Sequence, residues 1–522
     1  MPNSTHRIPR RTVLAGAAAT AAVTALAGCG GSSDSSGGAS GGTLTAGFDN
    51  EPVTLDPAMS SAISSDRNVL NLFFDTLLRQ RRDGTFEPAL ATQWTEKGTE
   101  ITFELRKGVK FHDGTPFNAD AVVLNLKRIS NPATRSTKAA ALASIREVKA
   151  TGPQTVTITL KAADPLLLTQ LAHEPGMIAS PAALAKGPET FGRKPVGTGP
   201  FTFRQWRTKV QLTAERNTDY WAKTPEGDAL PLLDKVVLRF VTEAKVLRAE
   251  LSTGGVHLVR ALPPEEYKQL ADDSRITIKD EGVRRNYYAS LNVTKGPFSD
   301  PRVRAAFAMA VERRSVGKAA AGGDFDIAPS FATSEDWFYD DSLAPLPYDP
   351  DKARTTLDKA GLRGKVPITL VARRRAPDPT VAELLQSQLT AAGFAPKVEI
   401  LEFQTQLERM QKQDFDAAIL VIDIPRLDPS LSFDPYFASD GPSNWSGLKD
   451  TALDNLLDKG LSTDDRAVRK QAYVDVQRRI IQNNYWVFLH QAKSPLIHSS
   501  NLNGVGLDVD GQWRLERARL GT

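Results

Sequence analysis

One cysteine, Cys29, stands among 522 residues. A single thiol excludes an intramolecular disulfide and a thiolate metal cluster. Net charge is nearly as scarce, since 65 Lys and Arg against 61 Asp and Glu leave +4. Three of those positives, Arg7, Arg10 and Arg11, fall in residues 1–28, which carry no acidic side chain. The rest of the chain is close to neutral, so charge gives no argument for nucleic acid, and no such partner is expected. Signatures of chemistry are missing too: there is no P-loop, no GxGxxG and no HExxH, and the one GxSxG match, residues 38–42, is part of a Gly/Ser run. Histidines 6, 112, 173, 257, 490 and 498 keep no metal-ligand spacing. Neither a metal nor another cofactor is expected. The pairs His112-Asp113 and His173-Glu174 read better as a turn and a helix end than as acid–base machinery.

What is present is the balance of a folded, multi-lobed body: 41% hydrophobic and 24% charged residues. The length exceeds one ordinary domain of roughly 100–200 residues. Residues 7–11 (RIPRR) precede an uncharged run, 12–28, that is short and Ala-rich for a membrane span, so residues 1–28 read as an export signal of twin-arginine type. Leu26-Ala27-Gly28-Cys29 is similar to a bacterial lipobox, which implies a lipid on Cys29 and tethering to the outer face of the cell membrane. Residues 29–42 then form a tether, with six Gly and five Ser among positions 30–42.

Beyond residue 43 short extended and helical patterns alternate. Ile101, Phe103 and Leu105, and likewise Val156, Ile158 and Leu160, alternate with polar residues as half-buried strands do. The apolar stripe of 65–79 predicts a helix, and Asn118 predicts a cap for another over 119–129. Further helices are expected at 243–252, after Asp300-Pro301, after Asp349-Pro350 and over 464–483. Strand, helix, strand, helix, strand at 366–372, 379–392, 396–402, 403–413 and 415–423 favours parallel pairing. The expected organisation is a first lobe over 43–285 with an inserted subdomain about 86–195, a second lobe over 286–490, and a return to the first over 491–522.

Six segments, in one order along the chain, resemble extracellular solute-binding proteins of ABC importers, family 5, whose members serve peptides, nickel chelates and related solutes. They are TLTAGFDNEPVTLDP (43–57), FELRKGVKFHDGTPF (103–117), VGTGPFTF (196–203), ERNTDYW (215–221), YYASLNVTKGPFSDPRVR (287–304) and YDPDKARTTLDKAG (348–361). The resemblance implies an α/β, two-lobed, type II periplasmic-binding-protein fold with mixed sheets. It implies a small solute, a peptide first, together with a permease and ATPase subunits, and a monomer that catalyses nothing. Mechanism would be lobe closure stabilised by the solute. A nickel chelate, a glycoside or another small molecule is the same-fold alternative, and an exported hydrolase held at the membrane is the alternative of another class.

Most of these segments are explained by turns and helix starts. By resemblance, solute contacts are expected from Asn50, Glu51 and Val53 after the first strand, from Asn286, Tyr287 and Tyr288 at the hinge approach, and from Asn444 and Trp445. Peptide-binding relatives place an aspartate just ahead of an Asp-Pro or Glu-Pro pair, where it meets the peptide ammonium. Here Asp423 precedes Asp428-Pro429 by five positions instead of three. Either the loop is longer and Asp423 still serves, or no free amino terminus is gripped. The run Arg373-Arg374-Arg375 suits a carboxylate or phosphate on the solute, although three neighbours on a strand cannot all point one way. Arg373 is the candidate taken from it.

Overall fold

Leu44, Ala46 and Phe48, apolar at alternate positions, are fully buried on one face of the strand Thr43–Phe48. In the computed structural model this strand is the centre of a seven-stranded sheet, ordered Ile276–Lys279, Leu496–Ser499, Leu258–Val259, Thr43–Phe48, Lys235–Phe240, Gln211–Arg216, Phe201–Arg207. It pairs in parallel with both neighbours, while the outer pairings are antiparallel. The described residues are 41–522 except 61–63, 82, 282–283, 322–324, 328, 335, 425–427 and 522. The expected signal, Cys29 and nearly all of the tether lie outside them. Among the described residues no helix is long and apolar enough to cross a membrane.

A second sheet has six strands in the order Phe325–Asp326, Trp486–Lys493, Arg284–Leu291, Ala417–Ile424, Val366–Arg373, Phe394–Leu401. Val366–Arg373 is parallel to both Phe394–Leu401 and Ala417–Ile424, through the helices Asp378–Ala391 and Phe403–Gln411. That is the pairing expected from the alternation of strand and helix there. Aliphatic residues such as Leu385, Leu389 and Ile419 fill one face of this sheet, and aromatic residues such as Phe331, Phe433 and Trp486 fill the other. The chain leaves the first sheet after Lys279, enters the second at Arg284, and returns between Lys493 and Leu496. Arg284 and Lys493 are register partners, so the two crossings run side by side.

Between the first and second halves of the large sheet the chain makes a four-stranded antiparallel sheet, Ala91–Lys97, Glu100–Leu105, Thr155–Leu160, Ile145–Gly152. The helix Ala119–Ser130 begins at Asn118, whose Oδ1 accepts from the Ala121 N–H at 3.0 Å. One helix ends earlier than its apolar stripe predicts: Ser64–Phe73 stops at Phe73, and Leu78–Gln80 is a short strand. The reason is tertiary. The Gly199 N–H donates to the Phe73 carbonyl at 2.9 Å, and a Cβ at Gly197 or Gly199 would meet the Phe73 backbone at 2.2 or 2.4 Å. Only glycine lets the VGTGP loop reach that carbonyl and replace the next helical bond.

Candidate functional site

Parallel strands deliver the residues at their carboxyl ends to the same edge of a sheet, which is where open α/β sheets collect ligands. Beyond Thr43–Phe48 come Asp49 and Asn50, and beyond Leu258–Val259 comes Arg260. Beyond Val366–Arg373, in the other sheet, comes Arg375. These residues, with Arg285 and Tyr287 near the crossing, line one cavity of about 630 Å³ between the two sheets. Leu262, Pro263 and Ala492 supply apolar wall.

Its charges differ in what they are tied to. Arg260 is engaged, donating Nε and Nη2 to the two carboxylate oxygens of Asp49 at 2.6 Å each. Such a two-pronged pair is rigid and leaves little net charge. Arg375 is exposed and makes no ion pair among the described residues. Tyr287 forms a wall whose orientation is fixed from behind by His490, stacked on it at 4.5 Å with the planes 10° apart. Burial pushes the His490 imidazole down to about 4, so it is neutral at pH 7, and neither ring nitrogen has a hydrogen-bond partner.

Of the residues expected to touch solute, the structure brings Asn50 and Tyr287 together in this cavity. Others are occupied. Glu51 accepts from Trp206 Nε1 at 2.6 Å and from the Lys209 N–H at 2.9 Å, so its carboxylate braces the first-strand turn against the neighbouring hairpin. Arg373 is bonded through Nε to Asp378 at 2.7 Å, and Asp378 is fully buried. The arginine that reaches the cavity is therefore Arg375, two positions on; Arg374 turns to Glu402 at 3.0 Å. Asn444 is a loop staple, giving its amide to the carbonyls of Ala438 and Leu448 and accepting from the Leu448 N–H.

Tyr288 corrects the expectation most directly. It lies one residue from Tyr287, so its ring leaves the opposite face of the strand. There it is fully buried and stacked on Trp486 at 3.8 Å, a core residue instead of a cleft wall. Asn286 shares that face, 1% exposed, with a buried Nδ2 that has no hydrogen-bond partner. Val53 is 80% exposed and outside the cavity wall, and Trp445 is half-buried, edge-on to Tyr436 at 6.1 Å. Asp423 pairs through its backbone with Arg285, and its side chain lies outside the described residues. The Asp49–Arg260 pair was missed. Its only signal was an arginine directly after a short apolar pair and before Pro263-Pro264, which marks a strand end.

Two lobes sharing a polar cavity beside a double crossing define a two-lobed solute-binding fold. The profile of bacterial extracellular solute-binding proteins, family 5 Middle, matches residues 85–444, and the chain belongs to that family. It is similar to the glutathione-binding protein GsiB of Escherichia coli strain K12, 31% identical over 489 residues that cover 90% of this chain and 92% of that protein. Among solved structures it resembles the periplasmic binding protein DppA from Helicobacter pylori in complex with the peptide STSA (26% identity, TM-score 0.78, covering 92% and 99%). It also resembles AgaA from A. tumefaciens R10 in complex with agropinic acid (25% identity, TM-score 0.76, covering 92% and 99%).

Proposed function

We propose that this protein is the receptor of an ABC importer, which captures a peptide or similar small polar solute between its lobes and hands it to a permease. The observation that carries the reading is the interlobe cavity with Arg375 in its wall, a cation that has no ion pair among the described residues. Arg375 belongs to the second sheet and Asn50 to the first, so a solute spanning them is held fully only when the lobes are together. That differential contact is what shifts a receptor toward its closed state. A carboxylate on the solute matches the Arg375 fork, and Tyr287 supplies an aromatic wall. Glutathione and short peptides carry such carboxylates; a nickel chelate or glycoside is the second reading within the same fold.

The test begins with mass spectrometry of the solute that co-purifies, followed by calorimetric titration of glutathione and short peptides. Binding should be stoichiometric and leave the solute chemically unchanged; turnover would establish the hydrolase reading. Arg375→Gln should weaken a carboxylate-bearing solute by about tenfold or more, the loss of a charge-assisted hydrogen bond, while thermal stability holds. Equal affinity in the variant would remove Arg375 from the site. A lipid on Cys29 would hold the receptor at the membrane, and Cys29→Ser should move it to the soluble fraction with its fold intact.

A further inference from the structure

The first lobe carries another hollow, of about 390 Å³, whose lining shares no residue with the interlobe cavity. Arg79, Arg106, Lys223 and Arg517 line it, with Glu516 as the acidic residue of the wall. Glu516 is already engaged, 3.2 Å from Arg79, and Asp75 behind it lies 3.7 Å from the same guanidinium. Arg106, Lys223 and Arg517 have no ion pair among the described residues. An adjoining hollow shows the ordinary arrangement: Arg81 lies 3.1 Å from Glu87 and Arg514 lies 2.7 Å from Asp508.

Arg106 is held in position, not left to wander. Its Nε donates to the Ala89 carbonyl at 3.0 Å, and its guanidinium sits 4.2 Å over the Trp221 ring. Trp221 is itself fixed by Nε1 donating to Asp75 at 2.8 Å. The two Nη groups of Arg106 have no hydrogen-bond partner among the described residues. Partial burial lowers the Arg106 pKa, and the nearby Asp75 carboxylate offsets that loss of water only in part. Partly desolvated cations of this kind are costly until an anion arrives.

We infer that this hollow binds a phosphate group. Three unpaired cations outnumber what one carboxylate needs and suit a phosphate monoester, which carries about −1.5 to −2 at neutral pH. Guanidinium forks match its oxygens. Ala222, Leu230 and the Trp221 ring give an apolar wall for the esterified remainder. The phosphate has two possible sources, a soluble phosphate ester or a lipid headgroup.

The full chain is titrated calorimetrically with inorganic phosphate and with glycerol 3-phosphate at about 0.15 M salt. Flotation uses phosphatidylcholine vesicles with and without phosphatidic acid. Binding in either arm supports the inference and names the source. The double variant Arg106→Gln/Arg517→Gln should weaken it at least about tenfold. Lys223→Gln/Arg517→Gln, confined to exposed residues, should do the same if loss of Arg106 unsettles Trp221. Lys359→Gln in the second lobe should change nothing, and solute affinity in the interlobe cavity should be untouched in every variant. Failure of phosphate, ester and phosphatidic acid alike overturns the inference. So does binding that the pocket variants leave unchanged, or capture of an acidic peptide alone.

Discussion

The helix Ser64–Phe73 in the first lobe and the strand Arg284–Leu291 in the second are both buried at the middle of their lobes, yet one is held by polar groups and the other by rings. Arg67, 3% exposed, lies 3.4 Å from Asp508 and from Asp510 and 3.7 Å from Glu174. Asn68 donates to Gln512 at 2.6 Å and accepts from the Trp513 N–H at 2.6 Å. These bonds join segments 444 and 445 positions apart. Around Arg284–Leu291, Tyr288 stacks on Trp486, which meets Phe331 at 5.6 Å, and Phe331 meets Phe433 at 5.3 Å. Directional bonds fix which residue of the C-terminal segment meets which residue of the helix. Rings contribute more buried area but accept other shapes.

Removing one acceptor should expose the difference most. Asp75 is 1% exposed and accepts from Thr198, Tyr220 and Trp221 at 3.1, 3.0 and 2.8 Å. Asp75→Ala should cost about 3–5 kcal/mol in urea unfolding, because it removes the shared acceptor of Thr198, Tyr220 and Trp221 and one of the two carboxylates beside Arg79. Asp75→Leu should recover none of it. Phe331→Ala in the other lobe should cost a similar ~3–5 kcal/mol as a cavity. Full recovery by Asp75→Leu would dissolve the contrast.

Acid should separate the lobes next. Burial pushes His112 down to about 4 and His173 to about 3, both in the first lobe. The unfolded chain, titrating near 6.5, therefore takes up those protons first. Their stabilisation is complete above about pH 6.5 and is lost as pH falls, by about 3 kcal/mol toward pH 4 for His112 and about 5 kcal/mol toward pH 3 for His173 at most. Asp508 adds to this lower down. Burial alone would raise its pKa, but Arg514 and Arg67 hold it below the usual carboxylate range, so its contribution present above 3.8 fades as pH falls through about 2. The second lobe has His490 alone in the equivalent state. Hydrogen exchange near pH 4.5 should show Ser64–Phe73 losing protection before Arg284–Leu291, and simultaneous loss would contradict the comparison. The smallest effect is expected from Phe331→Leu, under about 1.5 kcal/mol, since a hydrophobic shape change is absorbed by repacking.

Local signals were legible in the residues. Asn118 and Asp349 announced helix starts that the structure realises at Ala119 and Pro350. The alternation over 366–423 announced parallel strands with helical crossovers, and the structure pairs them so. Less was legible in the site. Asn50 and Tyr287 line the cavity, while Tyr288, Arg373 and Asn444 have the side-chain chemistry of ligand contacts and are taken up by Trp486, Asp378 and their own loop. The arginine run shows why. Three identical neighbours point to Asp378, to Glu402 and to the cavity, and which goes where depends on residues that pack from other segments.

By itself the chain's order of residues settled its periodicities, its caps and turns, its poverty in cysteine and its family pattern, because each depends on neighbours a few positions apart. The tertiary structure alone decided where the helix after residue 64 stops, which tyrosine of an adjacent pair faces the cavity, and which cations keep no carboxylate. Those outcomes are contests between groups hundreds of positions apart. Burial and hydrogen-bond geometry decide them only once the sheets have assembled.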